Sequence, residues 1–112
     1  MVSKKERTME RYMKAGAEMR LFKNLGAKMR TAIGYVLSAA DQDKLMRAMN
    51  RIDEVCSKAE DNMFCDYPNI SNEYTDVFYG NNVEDAPRNG VDKKIIEMAR
   101  EAADELFTGK RY

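Results

Sequence analysis

Apolar residues recur at three- and four-residue steps along the first third of the chain. Tyr12, Ala15, Met19, Phe22, Gly26, Met29, Ile33 and Val36 alternate these steps, which is the a/d seam of a heptad repeat. The pattern predicts one long helix over residues 4–37, with Leu25 and Ala32 widening the apolar stripe to core width. Gly16, Gly26 and Gly34 interrupt it at a cost of about 1 kcal/mol each against alanine. Gly26, on the seam, would also let a second helix approach closely.

A second seam follows at the same spacing: Leu45, Met49, Ile52, Cys56, Ala59 and Met63. Ser38 with Asp41 three residues on resembles a capping box, and Asp41 and Asp43 suit the positive end of a helix dipole. A helix over 39–64 is therefore expected. So short a connection between two long helices implies an antiparallel hairpin whose seams face each other.

Tyr67-Pro68-Asn69 ends that helix. Ser71 suits the N-cap of a short helix over 71–79, with Gly80 after it. Asn81 to Gly90 reads as a polar loop. Asp92 is the expected N-cap of a last helix over 92–107, with Val91 and Ile96 as a hydrophobic staple. Ile95, Ala99, Ala102, Leu106 and Phe107 form its buried stripe, and Gly109 closes it. The expected fold is all-α: a single helical domain over 1–112, built as a long antiparallel hairpin with one short and one medium additional helix.

Composition agrees with a globular chain carrying a charged surface: 44% of residues are apolar and 34% charged. Nine methionines suit either a loosely specified core or an adaptable binding surface. No apolar run reaches the roughly 18 residues that span a bilayer, and Met1 to Arg11 has no apolar segment of a secretory signal. A cytoplasmic location without membrane contact is expected, with Cys56 and Cys65 as reduced thiols. The net charge is zero but segregated. Residues 1–38 carry nine Lys/Arg against three Glu, and residues 39–89 carry five against eleven Asp/Glu.

The chain has no histidine, which removes the usual general base, metal ligand and triad member. The paired carboxylates Asp53-Glu54, Glu60-Asp61 and Glu84-Asp85 are sequence neighbours that diverge on a helix. Neither cysteine lies in a metal-binding spacing or an activating environment. No enzyme activity, cofactor or metal site is expected. Binding surfaces are the candidates instead. Arg20, Lys23, Lys28 and Arg30 form a basic stripe suited to phosphates, nucleotides or an acidic protein surface. Asp53, Glu54, Glu60 and Asp61 form an acidic face that could occupy a groove built for a phosphate backbone. Lys44, Arg51 and Lys58 recur every seven residues, with Glu54–Lys58 and Asp43–Arg47 as ordinary i,i+4 pairs. The first helix is expected to outrun the second by about eight residues. That would leave Met9, Tyr12 and Met13 as a seam for a homo-oligomer. Phe64, Tyr67, Tyr74, Phe78 and Tyr79 suggest a small aromatic core on the hairpin, or otherwise an interface anchor.

Over Ser38–Lys58 and Asp61–Gly80 the chain resembles small helical proteins of phages and mobile elements in Gram-positive gut bacteria. The stretches Asp-Asn-Met-Phe-Cys-Asp-Tyr-Pro and Glu-Tyr-Thr-Asp-Val-Phe-Tyr-Gly carry the likeness. The resemblance covers about half the chain and brings no functional residues with it. It implies a context of host-defence inhibition, such as anti-CRISPR proteins, or of transcriptional regulation. The expected function is a non-catalytic inhibitor that binds a host protein or ribonucleoprotein. The alternative is a nucleic-acid- or nucleotide-binding helical protein such as a small transcriptional regulator.

Overall fold

A computed structural model describes residues 3–79 and 86–108, the last two by their backbone. The described residues hold three α-helices, one short 3-10 turn and no strand. Helix α1 spans Met9–Ile33, α2 spans Ala39–Asp66 and α3 spans Gly90–Thr108. The 3-10 turn is Asn72–Tyr74. Gly80, the Glu84-Asp85 pair and Gly109 lie outside the described residues.

The first helix starts five residues later than the seam predicts. Thr8 caps it by accepting the Arg11 amide at 3.2 Å, and the turn before it closes through Glu6 N to Ser3 O. Ser38 caps α2 as expected, accepting the Asp41 amide at 3.2 Å. Helix α2 then runs two residues past its predicted end, to Asp66 before Tyr67-Pro68. So α2, at 28 residues, is longer than α1, at 25. The expected overhang of α1 does not exist.

Helices α1 and α2 run antiparallel. Arg7 meets Asp66, Lys23 meets Asp53, and the Gln42 amide donates back to the Gly34 and Leu37 carbonyls at the tip. Helix α3 packs across the proximal half of α1. The core lies there: Tyr12, Met13 and Ala17 of α1, Cys56 and Met63 of α2, Val77 and Phe78, and Ile95, Ile96 and Ala99 of α3. Burying one such large apolar side chain contributes roughly 1.5–3 kcal/mol. The rest of the hairpin has only its own two helices for cover.

Two more sequence expectations need correction. The segment after Tyr74 is turns, not helix, through Tyr79. The Arg20 guanidinium donates to the Asp76 and Val77 carbonyls of this turn segment. Helix α3 is capped by Asn89, whose side chain accepts the Asp92 amide at 2.9 Å. Asp92 therefore sits three residues inside the cap. That leaves one carboxylate oxygen for the Arg88 amide and the other for Arg20.

Candidate functional site

The basic stripe does not survive folding as a surface. Arg20 is 2% exposed, and its Nη2 lies 2.8 Å from the Asp92 carboxylate. Its Nε donates to the Val77 carbonyl at 3.1 Å. A guanidinium carries five donors in a fixed fork, so one residue can tie α1 to both the 75–79 turn and α3. Removing one partner of a buried pair costs about 3–5 kcal/mol, because the other charge is stranded. Arg20 is therefore a structural hub. Lys23 is also engaged: its Nζ lies 3.1 Å from Asp53 and 3.8 Å from the centre of the Tyr79 ring. Lys28 and Arg30 remain exposed near the tip.

The acidic face is likewise divided. Asp53 holds Lys23, and its backbone carbonyl accepts the Tyr79 hydroxyl at 3.1 Å. Burial and the adjacent Cys56 push the Tyr79 phenol up to about 12. Glu60 is half-buried, and burial, then Asp61 and Asp76, raise its carboxyl against the pull of Lys23. Glu54 and Asp61 are exposed.

Met9, Tyr12 and Met13 are not a free seam. Tyr12 and Met13 are buried in the core and Met9 packs against it. The Tyr12 hydroxyl donates to Asp66 at 2.5 Å, and its ring meets Tyr67 edge-on at 6.2 Å. Arg7 adds a fork to the same carboxylate through Nε at 2.7 Å and Nη2 at 3.1 Å. A carboxylate is ill-placed at the negative end of a helix dipole. Here the Arg7 and Tyr12 hydrogen bonds hold Asp66 down at about 2. The expectation of a homo-oligomer loses the surface on which it rested. The aromatic group is split: Phe78 is core, Tyr67 and Tyr74 pack on it, and Phe64 and Tyr79 stay partly exposed.

What folding leaves open instead is the distal half of the hairpin. Phe22 (43% exposed), Leu25 (64%) and Met29 (37%) follow i, i+3, i+7 spacing on α1. At 3.6 residues per turn, Phe22 and Met29 lie roughly 160–180° around α1 from Arg20. They therefore sit on the side away from α3. Ile52 (39%) and Val55 (61%) lie on α2. Between the helices, Met19, Phe22, Ile52 and Cys56, with Glu18 and Lys23 at its edges, line an apolar groove of about 230 Å³. Tyr35 and Val36 are exposed at the tip.

Leu25 was legible as a widening of the stripe, but Val55 was missed. Its only signal was an apolar residue off the α2 seam. Among the described residues no group of three or more Cys, Asp or Glu side chains is placed to hold a metal ion. No helix among them is long and apolar enough to cross a membrane. No protein-family model, curated protein or solved structure matches the chain.

Proposed function

We propose that this protein acts by binding a host macromolecule through the distal half of its hairpin, without catalysing a reaction. One observation carries the reading: five large apolar side chains, from Phe22 to Val55, stay open on the side of the hairpin that α3 does not cover. Single exposed apolar residues are ordinary, but a contiguous patch on a helical face marks a site of association. The direction of the effect, inhibition of a host-defence protein or ribonucleoprotein, rests on the resemblance carried by Ser38–Lys58 and Asp61–Gly80. Of the four cations of the basic stripe, a nucleic-acid- or nucleotide-binding role keeps Lys28 and Arg30 exposed.

The test is recovery of the tagged protein from its native host, with co-purifying macromolecules identified by mass spectrometry and sequencing. The expected result is a stoichiometric partner that Val55→Glu loses and the Lys28→Glu/Arg30→Glu double variant keeps. A partner that instead follows Lys28 and Arg30, and leaves as salt rises, transfers the function to the basic stripe. Absence of any stoichiometric partner overturns the proposal.

A further inference from the structure

Near the hairpin tip, α1 and α2 enclose a second cleft, of about 530 Å³. Ala27 and Thr31, on its α1 wall, lie about 20° around the helix from Arg20 and roughly 140–180° from Phe22 and Met29. The cleft therefore opens on the side where the 75–79 turn packs further back, and is separate from the open apolar face. Ile33, Leu45 and Met46 supply its apolar lining. Its volume falls within the roughly 300–1,000 Å³ of small-molecule sites.

The polar groups of the lining are unequal. The Thr31 hydroxyl donates to the Ala27 carbonyl at 3.4 Å. The Gln42 amide donates to the Gly34 and Leu37 carbonyls at 3.3 and 3.0 Å. Arg30 is exposed, and its side chain makes no ion pair or hydrogen bond among the described residues. It is also the ionisable side chain of the lining. From Met19 to Ser38 the chain carries no Asp or Glu. The nearest carboxylates beyond, Asp41 and Asp43, already face Lys44 at 3.9 Å and Arg47 at 2.9 Å. The second of these is an i,i+4 pair expected from the sequence; the other expected pair, Glu54–Lys58, does not form.

We propose that this cleft binds a small amphipathic carboxylate. Its carboxylate meets the Arg30 guanidinium, and its apolar body lies along Ile33, Leu45 and Met46. The lining chemistry selects this class. One uncompensated cation beside apolar side chains favours a ligand with a single anionic end. A guanidinium presents two parallel donors that match one planar carboxylate. A phosphate is commonly met by an arginine cluster or by helix N-terminal amides, and this lining supplies a single arginine.

The test titrates the full chain, labelled at its methionine methyl groups, with three probes that share a phenylethyl body. These are 3-phenylpropionate, the neutral 3-phenyl-1-propanol and 2-phenylethylphosphonate. Met46 lines the cleft and Met63 lies in the proximal core, so their methyl resonances report binding at the two ends separately. For so small a probe, 3-phenylpropionate is expected to shift Met46 with a Kd on the order of 1 mM. Met63 should stay in place. The alcohol should bind about tenfold more weakly, and the phosphonate no more tightly than the carboxylate. Arg30→Gln should bring the carboxylate down to the alcohol, and Ala27→Phe, which fills the cleft, should weaken both. Both positions are exposed, so circular dichroism of the variants should match wild type. Equal binding of carboxylate and alcohol overturns the inference, as does a carboxylate preference that survives Arg30→Gln. A larger shift at Met63 than at Met46, tighter binding of the phosphonate, or no saturation by about 10 mM carboxylate does so too. The partner-binding role of the opposite face is read by Val55→Glu and stands or falls separately.

Discussion

Arg20 is a surface residue by sequence logic and a core residue in the fold, and the difference comes from hydrogen-bond accounting. A buried guanidinium is tolerated only when its donors are satisfied. Asp92 and the Asp76 and Val77 carbonyls supply acceptors that lie more than fifty residues away in the chain. Asp66 shows the same logic with a measurable pH signature. The Arg7 and Tyr12 hydrogen bonds hold its carboxyl at about 2, below its ordinary 3.8. A value lowered by folding adds stability that is complete above 3.8 and disappears as pH falls through about 2. Thermal melts between those limits are expected to show a steep fall for wild type and a shallower one for Asp66→Asn. The variant starts from a lower melting temperature at neutral pH. Parallel acid limbs for the two proteins would refute this role for Asp66.

At the scale of elements, two glycines in one helix separate propensity from packing. A Cβ on Gly16 would sit 2.6 Å from the Val77 carbonyl oxygen and 2.7 Å from its Cγ1, and that backbone is pinned by Arg20. A Cβ on Gly26 would meet only the end of the Met49 side chain, at 2.5 Å, which can rotate away. Either alanine gains about 1 kcal/mol of helix propensity. Gly16→Ala is nevertheless expected to be destabilising by about 1–3 kcal/mol through overpacking. Gly26→Ala should be neutral or more stable by up to about 1 kcal/mol. Urea midpoints at constant slope decide it; equal effects of the two substitutions would contradict the close approach at Gly16. The seam had marked Gly26 as the contact glycine. The closer backbone approach is at Gly16, where the 75–79 turn crosses α1.

Across the whole molecule, stability is distributed unevenly. The longest dimension, 46 Å, is close to the roughly 42 Å that the 28 residues of α2 span at 1.5 Å each. The buried cluster occupies the end shared with α3. Native-state amide exchange should therefore run about tenfold or more faster in residues 25–33 and 39–52 than in 12–20, 56–63 and 95–99. Uniform protection along α1 and α2 would mean the tip is covered in solution. A low-stability tip is also consistent with its proposed work, since a partner would supply the cover the chain lacks.

Local patterns determined much of this protein before any contact was known. Heptad spacing specified two helices, Ser38 and Asp41 specified where the second begins, and the short connection specified a reversal. These are properties of neighbours within one or two turns, so sequence carries them. Which arc of each helix is buried was decided elsewhere. The proximal half of α1 turns Gly16, Ala17 and Arg20 inward because the 75–79 turn and α3 arrive on that side. The seam residues Phe22 and Met29 then stay partly open for want of a third element near the tip. Periodicity reports that a helix has an apolar side. Only the placement of distant segments determines how much of that side is covered, and by what.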